Sequence, residues 1–118
     1  MKLIDTNVIL RYLLNDIEEQ ADKAASIIQS GAFTLPEIIA EVVYVLSRLY
    51  SVPREKMFQI ISPIFKEVEI DKPNVILEAL SLYSESKFDF VDCIIIARNK
   101  ILGDEIFTFD KKLANRLK

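Results

Sequence analysis

The sequence predicts an α/β fold, a three-layer α/β/α domain with a central, mostly parallel sheet that takes in residues 1–118 as a single domain. Short apolar runs alternate with longer stretches of helical periodicity, the pattern of parallel strands joined by helical crossovers. The 118 residues are 51% hydrophobic, enough to bury one core without cross-links. No repeat, low-complexity tract or linker interrupts them.

Lys2-Leu3-Ile4 reads as a buried strand that turns at Asp5-Thr6-Asn7 into a first helix over 8–14. Residues 18–30 carry Ala21, Ala24, Ala25, Ile27 and Ile28 at helical spacing, with Gly31 where a helix C-cap would lie. A second strand covers 32–35. Pro36 suits the first position of a helix and Glu37 favours its positive end, so a helix follows to about Tyr50. Pro53 opens another helix, with Met57, Ile60, Ile61, Ile64 and Phe65, which Pro63 bends or ends early. A weaker strand at 67–70 precedes a helix over 73–86, whose Val75, Ile76, Ala79, Leu80 and Tyr83 share one side. Residues 90–100 are helical, 105–109 form a further strand, and 111–118 a terminal helix.

Absences narrow the chemistry. Without histidine there is no imidazole acid or base, no Ser-His-Asp or Cys-His arrangement, and nearly no protein zinc site. Gly31 and Gly103 alone cannot make a phosphate-cradling glycine loop. The single cysteine, Cys93, lies in an apolar run and reads as a small buried side chain. A net charge of -3 and a pI near 5.0 argue against a general basic field for nucleic acid. The charge is uneven, however: from Arg98 to Lys118 six basic residues face three acidic ones, and the rest of the chain carries -6. The apolar start is broken by Asp5, Asn7 and Arg11 too early for a signal sequence, and no stretch is long enough to span a bilayer. A soluble, cytoplasmic protein with no membrane partner is expected.

In open parallel sheets, ligands bind beyond the carboxyl ends of the strands. Asp5 and Asp110 each follow an apolar strand and precede a helix, Asp92 falls in the first turn of its helix, and Glu41 lies about a turn inside the helix from Pro36. These four carboxylates converge on one edge, where their mutual repulsion calls for a cation. Magnesium or manganese suits an all-oxygen set, and such a metal can acidify a water and clamp charge on a phosphodiester without a histidine base. Metal-assisted phosphodiester hydrolysis is the reaction class expected. Each acid also has a structural reading. Asp5 and Asp110 can cap helices, Asp89 can cap the D-x-x-D pair it forms with Asp92, and Glu37 is explained by the helix dipole. Glu41, in an apolar stretch, has no such explanation. Ile94-Ile95-Ile96 and the Phe and Tyr residues read as core and Lys111-Lys112 as a solvated face. Thr108 either helps position a phosphate or is an ordinary strand threonine.

Asp5-Thr6-Asn7, Glu41, Phe90-Val91-Asp92-Cys93-Ile94-Ile95 and Thr108-Phe109-Asp110 together resemble the PIN-domain pattern, over nearly the whole chain. Within that family the chain is most similar to VapC-type toxins of prokaryotic toxin-antitoxin pairs. The resemblance implies a PIN-like nuclease domain and a magnesium- or manganese-dependent ribonuclease, with Asp5, Glu41, Asp92 and Asp110 as the acidic site that holds the metal. It implies Thr6, Asn7 and Thr108 as supporting polar groups, Asp89 as an accessory acid, a homodimer, and a cognate antitoxin that reaches the site. One departure is Arg98-Asn99-Lys100, bulky and charged where the family usually has small residues. Independently, the helix from Glu37 to Tyr50 is apolar around more of its circumference than one core face needs, as a partner surface would be. The competing readings are a non-catalytic protein-binding module of the same fold, and a nuclease acting on DNA or in RNA maturation. A receiver-type phosphoacceptor would need a second acid beside Asp5, which the sequence lacks.

Overall fold

Strand and helix alternate as the periodicity requires, and the computed structural model describes all residues 1–118. The order is β1 (Lys2–Leu3), α1 (Thr6–Leu14), α2 (Glu18–Gln29), β2 (Ala32–Thr34), α3 (Pro36–Leu49), α4 (Met57–Ile61), β3 (Val68–Ile70), α5 (Pro73–Glu85), α6 (Phe90–Leu102) and α7 (Lys111–Arg116). Local chemistry sets most boundaries. Asn15 ends α1 in the left-handed conformation, its N–H returning to the Arg11 carbonyl. Glu18 and Glu19 sit at the positive end of α2, and Gly31 follows that helix at φ 100, where a side chain would be strained. Pro36 and Pro73 occupy opening positions of α3 and α5. Beyond Ile61 the chain tightens into a 3-10 helix (Ser62–Lys66) around Pro63, which cannot donate a helical hydrogen bond.

The strands pair in parallel in the order β1-β2-β3, with Lys2 opposite Ala32 and Phe33 opposite Glu69. α1 and α2 make the first crossover, and α3 and α4 lie within the second. β2 is central, so Ala32 and Thr34 are buried. Thr34 is the buried polar residue of the fold, and its hydroxyl donates to the Ile4 carbonyl at 3.0 Å. That bond fastens the end of β1 to the end of β2, where both chains leave the sheet. Around it Ile9, Ile39, Val42, Leu46, Met57, Ile61, Ile76, Leu80 and Cys93 form part of one contiguous core. The α/β architecture and parallel sheet expected from the sequence are thus observed, and Cys93 is the buried side chain its apolar setting required.

Three expectations need correction. β1 is an edge strand rather than a buried one: Lys2 and Leu3 are exposed and only Ile4 is buried. No strand forms at 105–109. Phe107 is 80% exposed and Phe109 93%, their rings meeting edge to face at 4.9 Å. A β1 of two residues offers too few backbone partners to order another strand, and side chains anchor the chain on either side of this segment instead. Arg98 pairs with Asp104 at 2.6 Å, and Asn99 donates to the Asp104 carbonyl at 2.9 Å and accepts from the Lys118 N–H at 2.9 Å. Finally, the aromatic residues are not all core. Tyr83 and Phe90 are buried, whereas Tyr44, Tyr50 and Phe58 lie on the surface.

No helix is long and apolar enough to cross a membrane. Leu46→Ala is expected to lower unfolding free energy by about 2–5 kcal/mol through the cavity it leaves. Thr34→Val should cost about 1–3 kcal/mol by stranding the Ile4 carbonyl, while the exposed Glu69→Ala stays within about 0.5 kcal/mol of wild type in urea titrations.

Candidate active site

Two strand ends and two helix starts supply the acids. Asp5 follows β1 and caps α1, its Oδ1 accepting the Val8 N–H at 3.2 Å. A carboxylate has about four acceptor positions, so one capping bond leaves most of them available. α3 leaves the end of β2 and carries Glu41 one turn in, where the Thr6 hydroxyl donates to Glu41 Oε2 at 3.0 Å. Asp5 and Glu41 therefore line the same open depression of about 420 Å³, together with Thr6, Asn7, Arg11 and Tyr50. Thr6 thus orients the Glu41 carboxylate, and Asn7 is exposed beside it. Glu37 is exposed in the first turn of α3, where the helix dipole accounts for it.

Arg11 is a wall residue that the sequence reading passed over. Its Nη1 pairs with Asp16 at 3.1 Å and its Nη2 donates to the Tyr50 hydroxyl at 3.0 Å. The Tyr50 hydrogen bond is the main reason its guanidinium is held even more firmly in the charged form. An arginine inside an otherwise apolar helix was the available signal.

A second group gathers at the start of α6. Asp89 occupies the N-cap position, but its side chain makes no capping bond, contrary to the reading of the D-x-x-D pair. Its backbone carbonyl takes the Cys93 N–H at 3.0 Å, and the carboxylate is left free. Asp92, half-buried in the first turn, has its pKa raised by burial first, and then by the negative charges of Asp89 and Asp110. Asp110 comes to Asp92 without the strand expected to deliver it. Asp110 Oδ1 caps α7 by accepting the Leu113 N–H at 3.1 Å, and its own N–H donates to Thr108 Oγ1 at 3.0 Å. Thr108 is accordingly not a strand threonine: its hydroxyl oxygen accepts the Asp110 N–H and helps turn the chain into Asp110, while its O–H remains available as a donor.

The structure thus joins Asp5 to Glu41 through Thr6, and sets Asp92 in the field of Asp89 and Asp110. No three carboxylates stand close enough to share one ion. In chemistry the donors fit a divalent metal. They are all oxygen, and Asp92 carries a charge that burial and two like charges oppose, a penalty that a cation removes.

Comparison with known proteins agrees with the motif pattern. Residues 2–117 match the PIN domain family. A VapC ribonuclease of Aquifex aeolicus (strain VF5) is 30% identical over 120 residues, covering 95% of this chain and 89% of that protein. No solved structure matches the chain significantly.

The raised pKa of Asp92 has a defined consequence for stability. The folded protein binds that proton more tightly than the unfolded chain, so this contribution is fully present below the unfolded pKa and is lost as pH rises through the folded one. Asp92→Asn removes the loss. In metal-free buffer the variant is expected to melt above wild type at neutral pH, with the gap closing in acid, as thermal melts across pH would show.

Proposed function

This chain belongs to the PIN domain family, and from that premise we propose that it is a magnesium- or manganese-dependent endoribonuclease and the toxin of a toxin-antitoxin pair. The observation that carries the proposal is Asp92, half-buried among Asp89 and Asp110 with its charge opposed on every count. The similarity to a VapC ribonuclease along most of both chains supports RNA as the substrate.

In this reading Asp5, Glu41, Asp92 and Asp110 would hold the metal, and because no three of them stand close enough to share one ion in the free chain, the two pairs would have to draw together around it. When bound, the ion supplies an acidified water and neutralises charge developing on the phosphodiester. The chain's own residues do the rest. Thr6 holds the Glu41 carboxylate in one orientation, and the caps made by Asp5 and Asp110 tie those acids to rigid helix starts. Asn7 faces the substrate beside Asp5. Asp89, free of any capping bond, accepts an O–H from water and so orients it. Lys111 and Lys112, exposed directly after Asp110, give the RNA backbone a positive approach in an otherwise acidic protein.

The antitoxin and a second copy of the chain are the proposed protein partners. α3 buries Ile39, Val42, Val43 and Leu46 on one face and leaves Tyr44 60% and Leu49 75% exposed on the other. Glu41 and Arg48 share that outward side, with the Arg48 guanidinium 5.5 Å over the Tyr44 ring, so the surface offered to a partner is mixed apolar and charged.

Purified protein is expected to cleave RNA with manganese and to stop with chelator. Asp92→Asn or Asp5→Asn should lower kcat by about 10²-fold or more while the fold persists by circular dichroism. Undiminished turnover in either variant overturns the site assignment. Manganese should also raise the melting temperature of wild type more than that of Asp92→Asn. Binding of a protein partner that is lost in Tyr44→Asp, with no turnover under any metal, would instead favour the non-catalytic module.

A further inference from the structure

We propose that Arg54 is a positioning residue for the acids of α6. Its guanidinium fixes residues 86–88 and through them sets where Asp89 and Asp92 stand. Its effect on turnover rests on the nuclease reading above, but its effect on geometry does not.

Arg54 lies in a short 3-10 turn (Arg54–Lys56) ahead of α4, far from the acids in sequence. Its Nη1 donates to the Ser86 carbonyl at 2.5 Å and to the Phe88 carbonyl at 3.1 Å, and its Nη2 to the Phe88 carbonyl at 2.6 Å. One planar fork therefore takes up two carbonyls between α5 and α6 that no helix pairs. The guanidinium also lies over the Tyr83 ring at 3.8 Å, and Tyr83 meets Phe90 edge-on at 6.0 Å. The Cys93 thiol points at the same Phe88 carbonyl, 3.8 Å away, and the Phe88 N–H reaches Ser86 Oγ at 3.4 Å. The hydrogen bonds hold Ser86 and Phe88 just before Asp89, and the ring contacts brace the guanidinium between α5 and α6.

On the other side this turn is held more loosely: the Arg116 guanidinium lies over the Phe88 ring at 5.6 Å, and the Asp89 side chain makes no capping bond. Residues 86–89 have no helix or strand of their own. The placement of Asp89, and of Asp92 one turn on, therefore depends on the anchor beneath. Lysine cannot replace it, since a single ammonium lacks the fixed fork that reaches both carbonyls while stacking on Tyr83.

Arg54→Ala and Arg54→Lys in the full chain test the idea through three measurements. These are steady-state RNA cleavage with manganese, affinity for manganese alone by electron paramagnetic resonance, and the rate at which a thiol reagent labels the single buried Cys93. Arg54→Ala is expected to lower kcat by about 10²-fold with RNA KM little changed, to weaken manganese binding, and to speed Cys93 labelling. Arg54→Lys should fall between Ala and wild type in all three, and it decides the matter if the alanine variant does not fold. Folded variants with wild-type manganese affinity and labelling overturn the proposal. So does a lowered melting temperature with both unchanged, which would make Arg54 a structural residue only. If wild type itself cleaves no RNA, the nuclease reading fails, and manganese affinity and labelling alone judge Arg54.

Discussion

The parallel pairing of β1 with β2, closed by the Thr34 hydroxyl on the Ile4 carbonyl, is the contact on which the rest of the structure depends. β1 is short and lies at an edge, so its backbone bonds alone hold it weakly. The buried threonine adds a bond at the one place where slippage would matter. It brings the ends of the two strands level, so that the chain turns into α1 at Asp5 and into α3 at Pro36 on the same side of the sheet. The Thr6 to Glu41 hydrogen bond, between residues 35 apart in sequence, is possible only because of that alignment.

Helix capping and site building are the same act in this protein. Asp5 and Asp110 each use one oxygen to accept a first-turn N–H. The helix gains a satisfied donor, and the carboxylate gains a fixed direction with acceptor positions to spare. Asp92 is different. It satisfies no helix end, lies half-buried beside two like charges, and makes the protein less stable when ionised. A side chain that costs stability in the free protein and would recover it with a cation is the pattern expected of a site rather than of a scaffold.

α3 connects the site to the surface. Its inward stripe anchors the core, its first turns present Glu41, and its outward Tyr44 and Leu49 remain uncovered. A partner seated there would lie on the same helix that carries one of the acids.

Much of this was legible in the sequence. Periodicity and turn residues report on neighbours three or four positions apart, and that is the range over which helices and caps are decided. Hence the helices, the three strands that form, and Asp5 and Asp110 as helix starts could all be read off in order. The segment 105–109 could not, because its alternating pattern suits a strand while the strand needs an edge long enough to receive it, and β1 supplies only two residues. Nor could the free carboxylate of Asp89, since its sequence pattern matches a cap that the side chain does not make. Arg11 on Tyr50, and Arg54 on the carbonyls of Ser86 and Phe88, span 39, 32 and 34 residues. Sequence alone determined which residues could carry the chemistry. Tertiary packing decided which of them meet, because contacts at such separations are set by how the helices pack together and leave no local periodicity to read.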